Sequence, residues 1–143
     1  MKIKFITTIL LLCMPILTLA ASWADNGSYD VSWYKKSQTE FQISTAKELA
    51  GMAYLVNNNY TSFKGKTVKL AADINLGEKY WKPIGMGNTI FEGTFDGDGH
   101  RIYNVHINES DRLYRSGFWV SVVNATLKNF KLLGYVSIDG DTT

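Results

Sequence analysis

The chain has 143 residues, with 15 Lys and Arg, 13 Asp and Glu, and one cysteine. Lys2, Lys4 and Cys13 all lie in the opening MKIKFITTILLLCMPILTLA, so the remainder is formally neutral, 13 against 13, and holds no thiol. That excludes a disulfide scaffold and removes the clustered basic surplus that nucleic acid or an acidic membrane would need, leaving about 120 residues to form one domain held by burial.

The opening places two lysines before an apolar run from Phe5 to Leu19 and a small-residue exit at Thr18 and Ala20. It reads as a secretory signal peptide over 1-20, with cleavage after 24 as the alternative, so the protein is expected to be secreted or at the cell surface. The run is shorter than the roughly 20 residues of a spanning helix, so no stable membrane span is expected after cleavage. Bulky Leu12 ahead of Cys13 argues against a lipid anchor. Residues 21-40 form a polar leader with scattered aromatics, contributing one strand around Tyr29 to Trp33. FQIS is a short strand, and Thr45 with Glu48 three residues on is a capping box opening a helix near 46-57. Leu49, Met52, Ala53 and Val56 give that helix one buried face, and the Asn57 to Asn59 run ends it.

Short strands broken by glycine follow: KTVKLAADINL, TIFEGTF, RIYNVHI, SGFWVSV, ATLKNFKLL and YVSI. Ile102 to Ile107 recurs as Leu127 to Leu132 at an offset of 25 residues, and Ala71 to Leu76 is a weaker copy 31 residues earlier. Ile102 and Val105 are three apart and cannot share a face of an unbroken strand, so the chain must bend between them. Asn104 and Asn129 stand at the same place in their copies, and Asn tolerates the left-handed angles such a bend needs. The expectation is a mostly β fold, a parallel β-solenoid of about three rungs with an N-terminal capping helix, in which Asn104 and Asn129 form a ladder at one corner over 41-143.

The run GFWVSVVNATLKNFKL resembles the GLUG motif, and ISTAKELAGMAYLVNN, FKGKTVKLAADINL, YWKPIG and FEGTFDGDGHRIYNVHI resemble the segment that precedes it in exported proteins of Bacteroides-like bacteria. The similarity covers about Phe41 to Leu133. Val120 stands where the motif has its second glycine, which makes this copy atypical. The resemblance implies a right-handed parallel β-helix in an adhesin-like surface protein.

DGDGH, residues 96-100, alternates carboxylates as a calcium loop does, but Arg101 and Ile107 stand where a helix-loop-helix site needs glycine and bidentate Glu. A tight turn is the simpler reading, with Gly97 and Gly99 supplying positive backbone angles and Asp96 and Asp98 bonding their own turn. His100 and His106 lack a third zinc ligand, no carboxylate pair is legible, and Ser116 and Ser121 lack an elbow motif. No catalytic residue, metal or cofactor is expected.

Tyr80, Trp81 and Trp119 are candidates for stacking on sugar rings, although Trp81 also suits core packing. Arg112 and Arg115 are the candidate charged ligands, the simpler alternative for them being a solvated loop tip. The expected function is an exported non-catalytic module for adhesion or for binding glycan or protein. The alternatives are the non-catalytic part of a polysaccharide-degrading or protease-associated enzyme, and a pure spacer. An uncovered last rung, with Leu127, Phe130 and Leu132 exposed, would favour self-association or a longer chain.

Overall fold

The computed structural model describes residues 21–108 and 117–137. The signal-peptide reading of 1-20, and the candidates Arg112 and Arg115, lie outside those residues. Strand β1 (Glu40–Ile43) leads into helix α1 (Ala46–Asn57). The helix starts where it does because the Glu48 carboxylate accepts the backbone N–H groups of Ser44 and Thr45 at 2.7 and 3.0 Å, while the Thr45 hydroxyl accepts that of Glu48 at 3.2 Å. These bonds satisfy donors that a helix start otherwise leaves open.

Six further strands follow: β2 (Thr67–Leu70), β3 (Ile74–Asn75), β4 (Thr94–Asp96), β5 (Arg101–Asn108), β6 (Thr126–Lys128) and β7 (Lys131–Ser137). They form a four-stranded sheet ordered β1-β2-β4-β6 and a three-stranded sheet ordered β3-β5-β7. All pairings are parallel. In the first sheet Phe41, Val68, Phe95 and Leu127 share one rank. The first three are buried, while Leu127 on the edge strand is 36% exposed. The apolar face of α1 joins the same core, with Leu49, Met52 and Val56 fully buried.

The expected parallel β-helix is corrected by this arrangement. The described residues form two small parallel sheets with one helix, and no closed coil. Between β3 and β4 the chain runs as turns and isolated contacts, Ile84 with Trp119 and Phe91 with Val122, instead of a third continuous sheet. The repeat alignment fails for the same reason. Leu127 pairs with Phe95, and Ile102 pairs with Leu132, so the two supposed equivalents lie in different sheets. Pairing distances along the chain also vary: Thr67 to Thr94 is 27 residues, and Thr94 to Thr126 is 32.

The bend itself is present. Asn104 has φ 55 and Asn129 φ 59, and the β5–β7 register shifts between Ile102 and Val105. Their amides do not meet: Asn104 donates to Asn75 Oδ1 and Asn129 to Asp96 Oδ1, each at 3.0 Å. The leader also differs from expectation. Tyr29 to Trp33 is turn and coil, and the strand-like contact is Ser22 beside Tyr80. Trp33 and Tyr34 instead pack on Phe41 and Phe63, shielding the β1 end of the core.

Candidate functional site

DGDGH forms a turn whose groups are committed internally. Asp96 Oδ1 accepts the Asp98 backbone N–H at 3.0 Å as well as the Asn129 amide, and Lys128 approaches Asp96 Oδ2 at 3.4 Å. The Asp98 backbone N–H, then the Asn129 amide, hold the Asp96 carboxyl below its ordinary value. Asp98 pairs with Lys69 at 3.1 Å. Positive angles fall on Asp98 and Gly99, at φ 49 and 86. Gly97 is needed for another reason: a Cβ there would lie 2.2 Å from Phe130 Cβ. Among the described residues no three His, Cys, Asp or Glu side chains gather as metal ligands. His100 lies 3.2 Å from Asp73, but that carboxylate also binds the Arg101 backbone N–H and guanidinium, and these contacts lower its pKa, the backbone bond foremost.

The tryptophan candidates occupy different places. Trp81 is 3% exposed, its indole N–H given to the Phe118 carbonyl. Trp119 is half-buried against Phe91, Phe95 and Phe118, and its Nε1 has no hydrogen-bond partner among the described residues. Tyr80 holds the leader through its backbone, accepting from Trp23 and donating to Ala21, both at 2.9 Å. Trp81 and Trp119 share contact with Phe118, yet they do not form an exposed sugar platform.

A cleft beside α1 is better built. Its volume is about 410 Å³, and Trp23, Ala53, Tyr54, Trp81, Lys82 and Met86 are among its walls. The leader forms one side because Gly51 admits the Asp30 carbonyl against the helix, where a Cβ would clash at 1.8 Å. Trp23 is fixed by its indole bond to the Leu76 carbonyl at 3.1 Å. The facing loop is clamped by Asn57, at the end of α1. Its Nδ2 donates to Pro83 O at 2.9 Å, and its Oδ1 accepts from Gly85 and Met86 N at 2.8 and 3.1 Å. Thr89 then ties back to Met86 O. These bonds hold Trp23 and the loop in place around the cleft.

Aromatic surface continues beyond the cleft. Tyr29 stacks on Tyr54 with centroids 4.1 Å apart, and Tyr54 on Tyr60 at 5.9 Å. Tyr60 is 64% exposed, beside Asn58 and Asn59. Sequence reading missed Trp23, Tyr54, Asn57 and Tyr60; the signal available was the aromatics of the leader and an Asn run carrying more than a helix stop. A second, more open depression of about 630 Å³ crosses β1, β2 and β4 by Glu40, Gln42, Thr67, Lys69 and Asp96. Its charged groups are largely spent on Lys69–Asp98 and Lys128–Asp96 pairs.

No known family description matches the chain. A "Putative Gly-rich membrane protein" of Evansella cellulosilytica is 27% identical over 144 aligned residues, covering 97% of this chain but 17% of that protein. The chain thus spans about a sixth of that relative's length. No solved structure matches it.

Proposed function

We propose that the chain is an exported, non-catalytic module that binds glycan at a bacterial cell surface. The cleft beside α1 carries the reading: a concave, largely apolar depression bordered by half-buried Tyr54, with exposed Asn58 and half-buried Lys82 at its rim and a loop held by Asn57, offers a small sugar both apolar and polar contacts. The exposed Tyr60 extends that surface. Export is supported by the opening sequence and by the GLUG-like motifs. The relative's printed description as a membrane protein, and its much greater length, suit a module carried in a larger surface chain. No helix among the described residues is long and apolar enough to cross a membrane.

A glycan array probed with the purified chain tests this. Discrete hits that vanish in Tyr54→Ala and persist in Trp119→Ala support it. Silence across the array would leave the spacer reading, and turnover of any arrayed polysaccharide would point to an enzyme.

A further inference from the structure

We infer that the cleft beside α1 selects an anionic sugar, a ring carrying a carboxylate as uronic acids do, through the ammonium of Lys82. The inference rests on the glycan-binding reading and narrows it. Lys82 is the only charged side chain among the described residues lining the cleft. It has no hydrogen bond or ion pair with any described residue, whereas the two indole N–H groups and the Asn57 amide of the walls are committed. The Trp23 and Trp81 indoles donate to backbone carbonyls, and the Asn57 amide is consumed by the loop. The neighbouring Lys79 is also engaged, donating to Ser28 Oγ at 2.6 Å with its ammonium 5.3 Å from the Trp23 ring.

An ammonium left without a counter-charge beside apolar walls attracts a carboxylate more strongly than it would in bulk water, because the walls lower the local dielectric. The same charge repels a cationic ligand. One feature opposes an anion: the C-terminal pole of α1, worth about half a negative charge, lies at the same cleft. Three of its last four carbonyls are answered, Tyr54 O by Asn58, Leu55 O by Tyr60 and Val56 O by Asn59, which leaves a partial charge against a full one. The full charge of Lys82 therefore sets the preference. A volume of about 410 Å³ is near the low end of the roughly 300–1,000 Å³ of small-ligand pockets. It fits one terminal ring rather than a length of polysaccharide.

Titration calorimetry of the purified chain with a glucuronic-acid-terminated disaccharide and its glucose-terminated counterpart tests the inference. The acid is expected to bind about tenfold more tightly, the scale of one charge-assisted contact, with the preference shrinking as salt rises. Lys82→Gln should bring the two ligands within about twofold of each other, while leaving the melting temperature in place because Lys82 makes no hydrogen bond or ion pair with a described residue and glutamine keeps most of its apolar stem. Equal binding of both sugars by the unaltered chain, or a preference that survives Lys82→Gln, overturns the anion selectivity and leaves the glycan reading standing. Binding of neither disaccharide also overturns it; if the array is silent as well, the glycan reading falls with it.

Discussion

Trp81 and Phe118 stack ring on ring, their centroids 4.5 Å apart and their planes 2° from parallel. The pair joins the loop after β3 to a segment more than thirty residues later, and backbone bonds from Ile84 N to Phe118 O and from Val120 N to Ile84 O lie alongside it. Trp81→Ala removes a buried ring and orphans part of this junction. It should destabilise the fold by about 3–5 kcal/mol in chemical denaturation. A loss below about 1 kcal/mol would mean that this stacking contributes little to the core.

Gly97 and Gly99 belong to one turn but answer to different constraints. Gly97→Ala drives a methyl into Phe130 and the Asn129 carbonyl, whose nearest atoms would be 2.2 and 2.6 Å away. Gly99 has open space but φ 86. Overpacking at Gly97 is expected to cost about 2–3 kcal/mol, and left-handed strain at Gly99→Ala about 1 kcal/mol. Urea midpoints of the two variants check the order, and the reverse order would contradict the packing described for Phe130.

The acid limb of stability follows from Asp73 and Asp96. Hydrogen bonds from the Arg101 and Asp98 backbones, respectively, are the main cause of lowered pKa values in the two carboxyls, whose ordinary value is 3.8. A carboxyl whose folded pKa is lowered adds stability that is whole above its unfolded value and is lost as pH falls through the folded one. The melting temperature should therefore change little through these groups near neutrality and fall below pH 3.8. Asp73→Asn and Asp96→Asn should each flatten that acid fall; an unchanged slope in both would show that these bonds do not bias the titration.

Local features of this arrangement were open to reading in the chain while its architecture was not, and the limits have physical causes. The helix could be read because Thr45 and Glu48 encode its start locally. The bends could be read because Ile102 and Val105 cannot share one face, and Asn104 takes the left-handed angle that resolves the conflict. Register could not, because unequal loops let Leu127 find Phe95 rather than the strand of its look-alike. The closed coil inferred from that false register fell with it. The cleft was hidden for a different reason: Trp23, Tyr54 and Lys82 are far apart in sequence, and nothing periodic marks a leader that folds back over a helix.

Among the described residues β6 and β7 are outer strands of their sheets, and Leu127, Leu132 and Leu133 on them are 36%, 42% and 50% exposed. Open strand edges with apolar neighbours recruit further strands. The purified chain should therefore self-associate as its concentration rises, and Leu132→Lys with Leu133→Lys should keep it monomeric. Light scattering after size-exclusion chromatography decides, since a monomer throughout the tens-of-micromolar range would contradict recruitment through this edge.

The four tryptophans offer a direct test of where ligand binds. Trp23 and Trp81 line the cleft beside α1, whereas Trp33 and Trp119 lie outside it. In a nitrogen–proton correlation spectrum each indole N–H gives its own signal. On titration with a glycan selected by the array, the Trp23 and Trp81 signals should move together along one saturation curve while Trp33 and Trp119 stay in place. Saturable shifts confined to Trp33 or Trp119, or bound glycan that moves none of the four, would contradict the assignment of the cleft as the binding site.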